Sequence, residues 1–340
     1  MKPQSVPATN PLHLLRASEG LIIHQALYAA AKLGLADMLA GGPRSSAELA
    51  QQLQVNEPAL YRILRGLVSQ GVFEETAPRT FGNNEPSGYL RTGVHGSVRS
   101  FLMFTGSEFF YRSFGEILYS IETGQPARAR LFGKPWEYLR EHPELARVFD
   151  DAMTELTALA APSIAAAYDF DAWGSVMDVG GGNGLLLAAV LKAHLGLRGV
   201  LADQPHVLEN ARQRGFLGGD LEVRSLMHPC DFFREVPSGC RAYFMKNVIV
   251  DWSDQQAHTI LANCRRAVPA DGVLLLIEPV AGEGNLSPRV TFGDLAMLVV
   301  TGGKVRSVHE HRELMEGAGY RLNQVIPAAP DLSIIEAFPI

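Results

Sequence analysis

The chain has 340 residues, 47% of them hydrophobic and 19% charged, with a formal net charge of −6 at pH 7. That length suggests two domains, the composition is that of a globular protein with ample core, and the acidic balance argues against a broad nucleic-acid or anionic-membrane surface. Three cysteines, Cys230, Cys240 and Cys264, lack C-x-x-C spacing, so neither a disulfide framework nor a zinc pattern is expected.

The N-terminal MKPQSVPATNPLHLL has no apolar core of a signal peptide, and no apolar run approaches the length of a membrane span. A cytoplasmic protein with reduced thiols is expected. Residues 12–40 carry apolar positions at helical spacing, ended by Gly41, Gly42 and Pro43. Ser45 or Ser46 can cap a short helix over Ala47–Leu53, and a turn at Val55–Glu57 leads to a second helix from Pro58 to Gln70. Gly71 closes it and VFEE begins a strand, which predicts a helix-turn-helix followed by a wing.

That motif raises a DNA-binding regulator as a rival function, with Arg62 and Arg65 on the recognition helix. DNA affinity comes largely from Lys and Arg neutralising phosphates. Residues 1–80 hold seven basic residues against six acidic ones, too small a surplus for a dedicated DNA module. A winged helix used as a dimerisation scaffold fits better. The apolar stretch Leu21–Leu39 also lacks a partner within so small a domain.

Residues 97–160 read as helical and rich in aromatics. Phe109, Phe110, Tyr111, Phe114, Trp136, Tyr138, Phe149 and Met153 are candidates to pave a pocket for a planar substrate. Plain helix core accounts for most of them; Phe149 and Met153 are the ones expected to face a crevice. Pro162 is expected to end the region.

From about residue 170, strands and helices alternate. Strands are expected at 175–180, 198–203, 241–249, 272–278, 319–326 and 333–338, and helices at 184–194, 205–214, 254–268 and 307–317. Such alternation predicts a mostly parallel sheet covered on both faces, with the last two strands forming an edge hairpin.

The stretch VMDVGGGNG, Val176–Gly184, organises this half. Strand, glycine turn and helix together make a ligand crevice at the carboxyl edge of an open α/β sheet. The run is not the dinucleotide fingerprint, because Leu185 stands where the third glycine would be. Asp178 would repel a pyrophosphate but suits an ammonium group. Asp203, at the end of GVLAD and 21 residues beyond Gly182, stands where a ribose-binding carboxylate is expected. A ligand with a ribose, a cationic amino-acid end and no phosphate is S-adenosylmethionine.

Asp-x-Gly-Gly-Gly-x-Gly, LADQPHV, DFFREVP, MKNVIVDWSD, GVLLLIEPV and DLAMLVVTGGKVRS follow in one order. Together they resemble the small-molecule O-methyltransferases of the caffeate and hydroxyindole type, including bacterial members that decorate antibiotics. The resemblance covers nearly the whole chain. It implies an α/β fold: a Rossmann-like class I methyltransferase domain at 166–340, a helical substrate-pocket and linker region at 101–165, and a winged-helix dimerisation domain at 1–100 that makes a homodimer.

By the same resemblance, Gly180 to Gly184, with Gly182 between them, would cradle the methionine part of the cofactor beside Asp178. Asp203 would accept the ribose hydroxyls, and Asp231 and Phe232 would hold the adenine amino group and ring. Lys246 would lie near the cofactor, with Trp252 at its edge and Thr157 over the carboxylate end. Phe149, Met153, Val250, Asp294 and Met297 would form the substrate pocket. Cys230 replaces the glycine usual before that aspartate. Asp231 as a helix cap and Trp252 as core are the structural alternatives.

The family has a histidine before Asp-Trp as general base; here it is Val250, which cannot take a proton. A carboxylate that steadies that histidine is replaced by Val305, whereas the supporting glutamate is kept as Glu278. His142, His258, His309 and His311 offer no evident substitute, and no histidine has metal-ligand spacing. Methyl transfer to an acidic hydroxyl of an aromatic or polyketide-like small molecule in secondary metabolism, without an enzyme base, is therefore the first expectation. A nitrogen or carbon acceptor, or a non-methylating reaction such as hydroxylation or pericyclic cyclisation, is the alternative.

Overall fold

The computed structural model describes residues 11–282 and 287–340. The chain divides into two compact units. One runs to Tyr111 and takes in Arg147–Glu155; the other holds Arg112–Ala146 and Leu156–Ile340.

The first unit opens with α1 (Pro11–Ser18) and α2 (Gly20–Leu33), then β1 (Arg44–Ser45), α3 (Ser46–Leu53), α4 (Glu57–Ser69), β2 (Glu74–Ala77) and β3 (Thr80–Gly82). Ser45 starts α3 with a capping box: its Oγ accepts from the Glu48 N–H at 3.2 Å, and Glu48 accepts from the Ser45 N–H at 2.8 Å. Asn56 caps α4 by accepting from the Ala59 N–H at 3.0 Å. Leu60, Leu64 and Leu67 recur at helical spacing on α4 and bury one face among Leu35, Leu49, Phe73 and Phe81. The three strands pair antiparallel in the order β1-β3-β2, giving the helix-turn-helix and wing expected from sequence. Leu21 and Ile22 on α2 stay 53% and 71% exposed within the single chain.

The second unit is built on a seven-stranded sheet: β4 (Ser175–Val179), β5 (Arg198–Asp203), β6 (Ser225–Pro229), β7 (Ala242–Lys246), β8 (Val273–Glu278), β9 (Tyr320–Ala329) and β10 (Leu332–Pro339). The spatial order is β6-β5-β4-β7-β8-β10-β9. The first five run parallel, and β10 lies antiparallel to both β8 and β9. Its helices include α5 (Ala127–Phe132), α7 (Leu185–Ala193), α8 (Pro205–Arg214), α9 (Asp254–Ala267), α10 (Pro288–Val300) and α11 (Val308–Gly317), and α6 (Pro143–Ala167) contributes residues to both units. Side chains leave the strands alternately to two cores. Val176, Leu201, Phe244 and Leu275 go to one face; Met177, Tyr243, Met245 and Leu276 go to the other. Burial on both faces is why these strands read as near-continuous apolar runs.

Two local expectations are corrected and one strand is added. Pro162 does not end its helix, because α6 continues through it to Ala167. An interior proline costs about 3 kcal/mol or more, but Pro162 sits on the exposed side while Ala161, Ile164 and Ala165 are buried in the core. The strand expected at 241–249 stops at Lys246. Asn247 adopts a left-handed φ of 52°, which breaks the strand and which asparagine tolerates better than most residues; a 3-10 turn, Ile249–Asp251, follows. Strand β6 was not foreseen, since SLMHP is a half-exposed edge strand ending in proline. Among the described residues, no helix is long and apolar enough to cross a membrane.

Candidate active site

Four neighbouring parallel strands end in polar residues along one edge of the sheet. Asp178 lies near the end of β4, Asp203 ends β5, Lys246 ends β7 and Glu278 ends β8. The sequence alternates so that apolar residues fill both cores up to this edge, and the chain then turns away from it. After β4 the turn reaches Gly182, whose φ of 58° is left-handed and whose missing side chain faces open space. The Gly182 N–H donates to Asp203 Oδ2 at 2.9 Å, and the Gln204 N–H donates to Oδ1 at 2.7 Å. Asp203 is thus fixed by two backbone donors while each oxygen keeps acceptor capacity.

Asp178 is 1% exposed, and neither of its oxygens makes a hydrogen bond of ordinary geometry. Burial pushes its carboxyl above the usual range, with Asp203 adding to the rise and Lys246 opposing it. Burial in turn lowers the Lys246 ammonium, which Asp178 and Glu278 partly offset. A buried carboxyl group whose oxygens make no hydrogen bond of ordinary geometry, with the Leu187 backbone as its one nearby donor, is unusual in a native fold. Together with the glycine turn and the anchored Asp203, it fits a polar, cationic ligand with hydroxyls to donate, which is the chemistry of S-adenosylmethionine.

Beyond Asp203, Cys230 is 7% exposed and its thiol points to the Glu235 carbonyl at 3.5 Å. Asp231 is exposed, and one of its oxygens accepts from the Phe233 N–H at 3.1 Å. Phe232 stands against the glycine turn: a Cβ on Gly180 would meet its ring at 3.5 Å and Val248 at 3.0 Å. Trp252 packs edge-on against Phe232 and Phe233, with centroid distances of 6.2 and 4.7 Å, and lies 6.0 Å from Trp136. Both readings of Trp252, aromatic packing and a place beside the cofactor edge, are consistent with these contacts.

The turn Ile249–Asp251 forms the other side. Val250 is 7% exposed and packs with Val290 and Val305, with Ala281 and Met297 against them. None of these five side chains can take a proton. The Val250 N–H donates to Glu278 Oε1 at 3.0 Å. Asp294 accepts from the Val305 N–H at 2.7 Å, so one of its oxygens braces the valine backbone. Gly303 is needed for close approach: a Cβ there would fall 2.0 Å from the Val250 carbonyl oxygen.

Sequence reasoning missed four residues here. Arg306 is fully buried and donates to the carbonyls of Ile249 at 3.0 Å and Trp252 at 2.8 Å and to Asp254 at 2.8 Å, clamping the turn from below. Asp251 is held above the usual carboxylate range by burial and by Glu278, with Arg128 opposing, while burial lowers Arg128 to about 9. His311 is 1% exposed, with Nε2 3.5 Å from Glu278 Oε2. Arg306 and Asp251 lie within motifs already noted and were within reach of sequence; Arg128 and His311 come from outside those motifs, and no local signal marks them.

The remaining candidates are dispersed. Phe149 belongs to the first unit, where it packs edge-on against Phe104 at 5.1 Å; Met153 belongs there too. Thr157 lies further along α6, in the second unit. His142 stacks on Tyr138 between helices at 3.8 Å, His258 is exposed and bonds the Gly317 carbonyl, and His309 is exposed. Asp169, Asp171 and His194 bring ligand atoms within 4.8 Å of one another. Both ring nitrogens of His194 are engaged, however, with Asp171 at 2.8 Å and the Ala165 carbonyl at 3.0 Å.

Comparison with known proteins gives this geometry its relatives. Residues 114–321 match the O-methyltransferase domain family, and residues 15–93 match the O-methyltransferase dimerisation domain. Phenazine O-methyltransferase of Lysobacter antibioticus is 39% identical over 338 residues, covering 96% of each chain. The crystal structure of LaPhzM superposes with a TM-score of 0.94 at 40% identity, covering 97% of this chain and 100% of that one. Aclacinomycin 10-hydroxylase of Streptomyces purpurascens is 35% identical over 315 residues, covering 91% of this chain and 84% of the relative.

Proposed function

The chain belongs to the O-methyltransferase family whose members carry their own dimerisation domain, and on that premise we propose that it works as a homodimer and methylates an acidic hydroxyl of an aromatic or polyketide-like small molecule in secondary metabolism. S-adenosylmethionine is the methyl donor. When bound, it would supply an electrophilic sulfonium methyl, with the thioether sulfur of S-adenosylhomocysteine as the leaving group that keeps the S–C electron pair.

The protein's part is to bind and to aim. Asp203 holds the ribose hydroxyls, Asp231 and Phe232 hold the adenine, and the turn Gly180–Gly184 with Asp178 and Lys246 faces the methionine end. Thr157 and Trp252 flank the cofactor. Val250, Asp294 and Met297 wall the acceptor site.

The observation that carries the reading is a row of polar strand ends, Asp178, Asp203, Lys246 and Glu278, beside a buried cluster of Val250, Val290 and Val305. Val250 stands where the family has its histidine base, and Val305 where it has that histidine's carboxylate partner. Holding acceptor and methyl in line can itself remove roughly 7–11 kcal/mol of barrier, whereas a positioned base adds typically about 10²–10⁴-fold. That increment is dispensable when the acceptor is already acidic, such as a phenol conjugated to a carbonyl.

One observation favours a second reading. The relative named as a hydroxylase has comparable identity over most of the chain, so the same edge would hold the cofactor with its sulfonium as a fixed positive charge in a reaction that moves no methyl group. Incubating the protein with methyl-deuterated S-adenosylmethionine and a panel of carbonyl-conjugated phenols separates the two. A deuteromethylated product with matching S-adenosylhomocysteine supports the first; tight cofactor binding with neither product rejects it.

A further inference from the structure

His311 is a buried titratable side chain that the proposed transfer does not use. Ser307 starts its helix: Ser307 Oγ accepts from the Glu310 N–H at 3.2 Å, and Glu310 accepts from the Ser307 N–H at 2.8 Å. Helical spacing then turns His311 and Met315 inward together. Neither ring nitrogen makes a hydrogen bond of ordinary geometry, yet Nε2 lies 3.5 Å from Glu278 Oε2. The other Glu278 oxygen is committed to the Val250 N–H at 3.0 Å. A continuous line therefore runs from the turn Ile249–Asp251 through Glu278 to His311.

We propose that His311 is a positioning residue that shares one proton with Glu278 and so holds that carboxyl against the Val250 turn in both of its protonation states. A neutral imidazole has one N–H and one lone pair, and either nitrogen can carry either. Facing a carboxylate, Nε2–H donates to Oε2. Facing a carboxylic acid, the Nε2 lone pair accepts the Oε2–H and the ring proton resides on Nδ1. Passing from the first state to the second, the pair gains one proton and the ring changes tautomer. In both states Oε1 remains an acceptor for Val250.

The surroundings keep the ring neutral while the carboxyl titrates. Arg306 acts on His311 from the segment before α11, Glu310 from α11 itself, Asp251 on Glu278 from the turn, and Lys246 on Glu278 from β7. Burial, aided by Arg306, holds His311 down at about 4, and burial holds Glu278 up at about 7 against its backbone donors and Arg306. A carboxyl that changes state near neutral pH needs a neighbour able to donate or accept. A phenyl ring can do neither; a carboxamide can do both.

The inference rests on the proposed function only in taking Val250 as acceptor wall, and its test needs no acceptor. Amide exchange at Val250 is followed in the full-length wild type, His311→Gln and His311→Phe, with strand β4 as internal reference, while ring ¹⁵N spectra of the wild type are recorded between about pH 6 and about pH 8. The ring signal absent from His311→Phe belongs to His311. Expected are Val250 exchange within about twofold of wild type in His311→Gln and about tenfold faster in His311→Phe, with β4 unchanged. The His311 ring should pass from the Nε2–H to the Nδ1–H tautomer as pH falls. Val250 exchange in His311→Phe equal to wild type, or a His311 ring that keeps one tautomer or becomes doubly protonated across that range, overturns the proposal. The wild-type ring spectra decide the matter even if His311→Phe does not fold.

Discussion

Val250 and Val305 meet in one buried apolar cluster with Val290, although they come from different segments that Gly303 lets approach. The pair shapes a wall rather than leaving a gap. Shortening Val250 to alanine removes two methyl groups, about 0.8 kcal/mol of burial each. We expect Val250→Ala to raise the acceptor KM by about tenfold while kcat stays within about threefold. Steady-state kinetics showing the reverse, kcat lost with KM unchanged, would make the valine a participant in the transition state.

Asp203 is anchored by the Gly182 and Gln204 amides and presents its free lone pairs to the crevice. Asp203→Ala should lose two hydrogen bonds from ribose hydroxyls to a charged acceptor, roughly 1.5–3 kcal/mol each. Calorimetry should show S-adenosylmethionine affinity falling by on the order of a hundredfold or more. An unchanged affinity would remove Asp203 from the cofactor site.

Leu21 and Ile22 are 53% and 71% exposed in the isolated chain, on a helix within the matched dimerisation domain. Sedimentation should find a dimer at micromolar concentration, and Ile22→Glu should shift it toward monomer with helical content retained. A monomeric wild type would contradict the dimer. Tight, salt-sensitive binding to a DNA duplex would restore the regulator function that the helix-turn-helix suggests.

The Glu278–His311 pair makes a prediction for stability. The folded His311 value, about 4, lies below its ordinary 6.5, so the unfolded chain binds more protons between those values and stability is lost as pH falls from 6.5 toward 4. The folded Glu278 value, about 7, lies above its ordinary 4.5, so its contribution is present at low pH and is lost as pH rises from 4.5 to 7. The two slopes oppose each other in the wild type. His311→Phe removes one of them, so wild-type stability minus variant stability should rise between about pH 4 and about pH 6.5, by an amount on the order of 3 kcal/mol, and then level off. Thermal or urea unfolding across that range checks it; a pH-independent difference would show that His311 is not buried neutral.

The fold was largely legible because the strands are apolar on both faces and the turns carry caps and glycines at their expected places. The Ser45–Ser46 pair and the run at Gly180–Gly184 mark their elements by local chemistry alone. Where the reading failed, burial or backbone conformation decided: Pro162 is carried by buried neighbours on α6, and Asn247 ends β7 with a left-handed φ that no pattern of hydrophobicity announces. In the site, Asp178 and Asp203 could be named from their place at the end of apolar runs, whereas Lys246 and Glu278 were marked only by the family resemblance. His311 could not, since its place depends on how α11, packed on β9, brings its side chain to Glu278 at the end of β8, a relation between segments far apart in sequence.

The central claim is that transfer needs no enzyme base at Val250, and single-turnover methyl transfer as a function of pH, in wild type and Val250→His, tests it most directly. In the wild type the rate should rise along the acceptor's own titration, with no histidine inflection. The Glu278–His311 pair should add none, since the brace is kept in both protonation states. In Val250→His the imidazole would lack a carboxylate at Val305, and burial would oppose its charging as it takes the proton. Little gain, or a loss, is the expected result. A gain of about tenfold or more in Val250→His, with a new inflection near pH ~6.5, would contradict the account and mark Val250 as the site of a lost base.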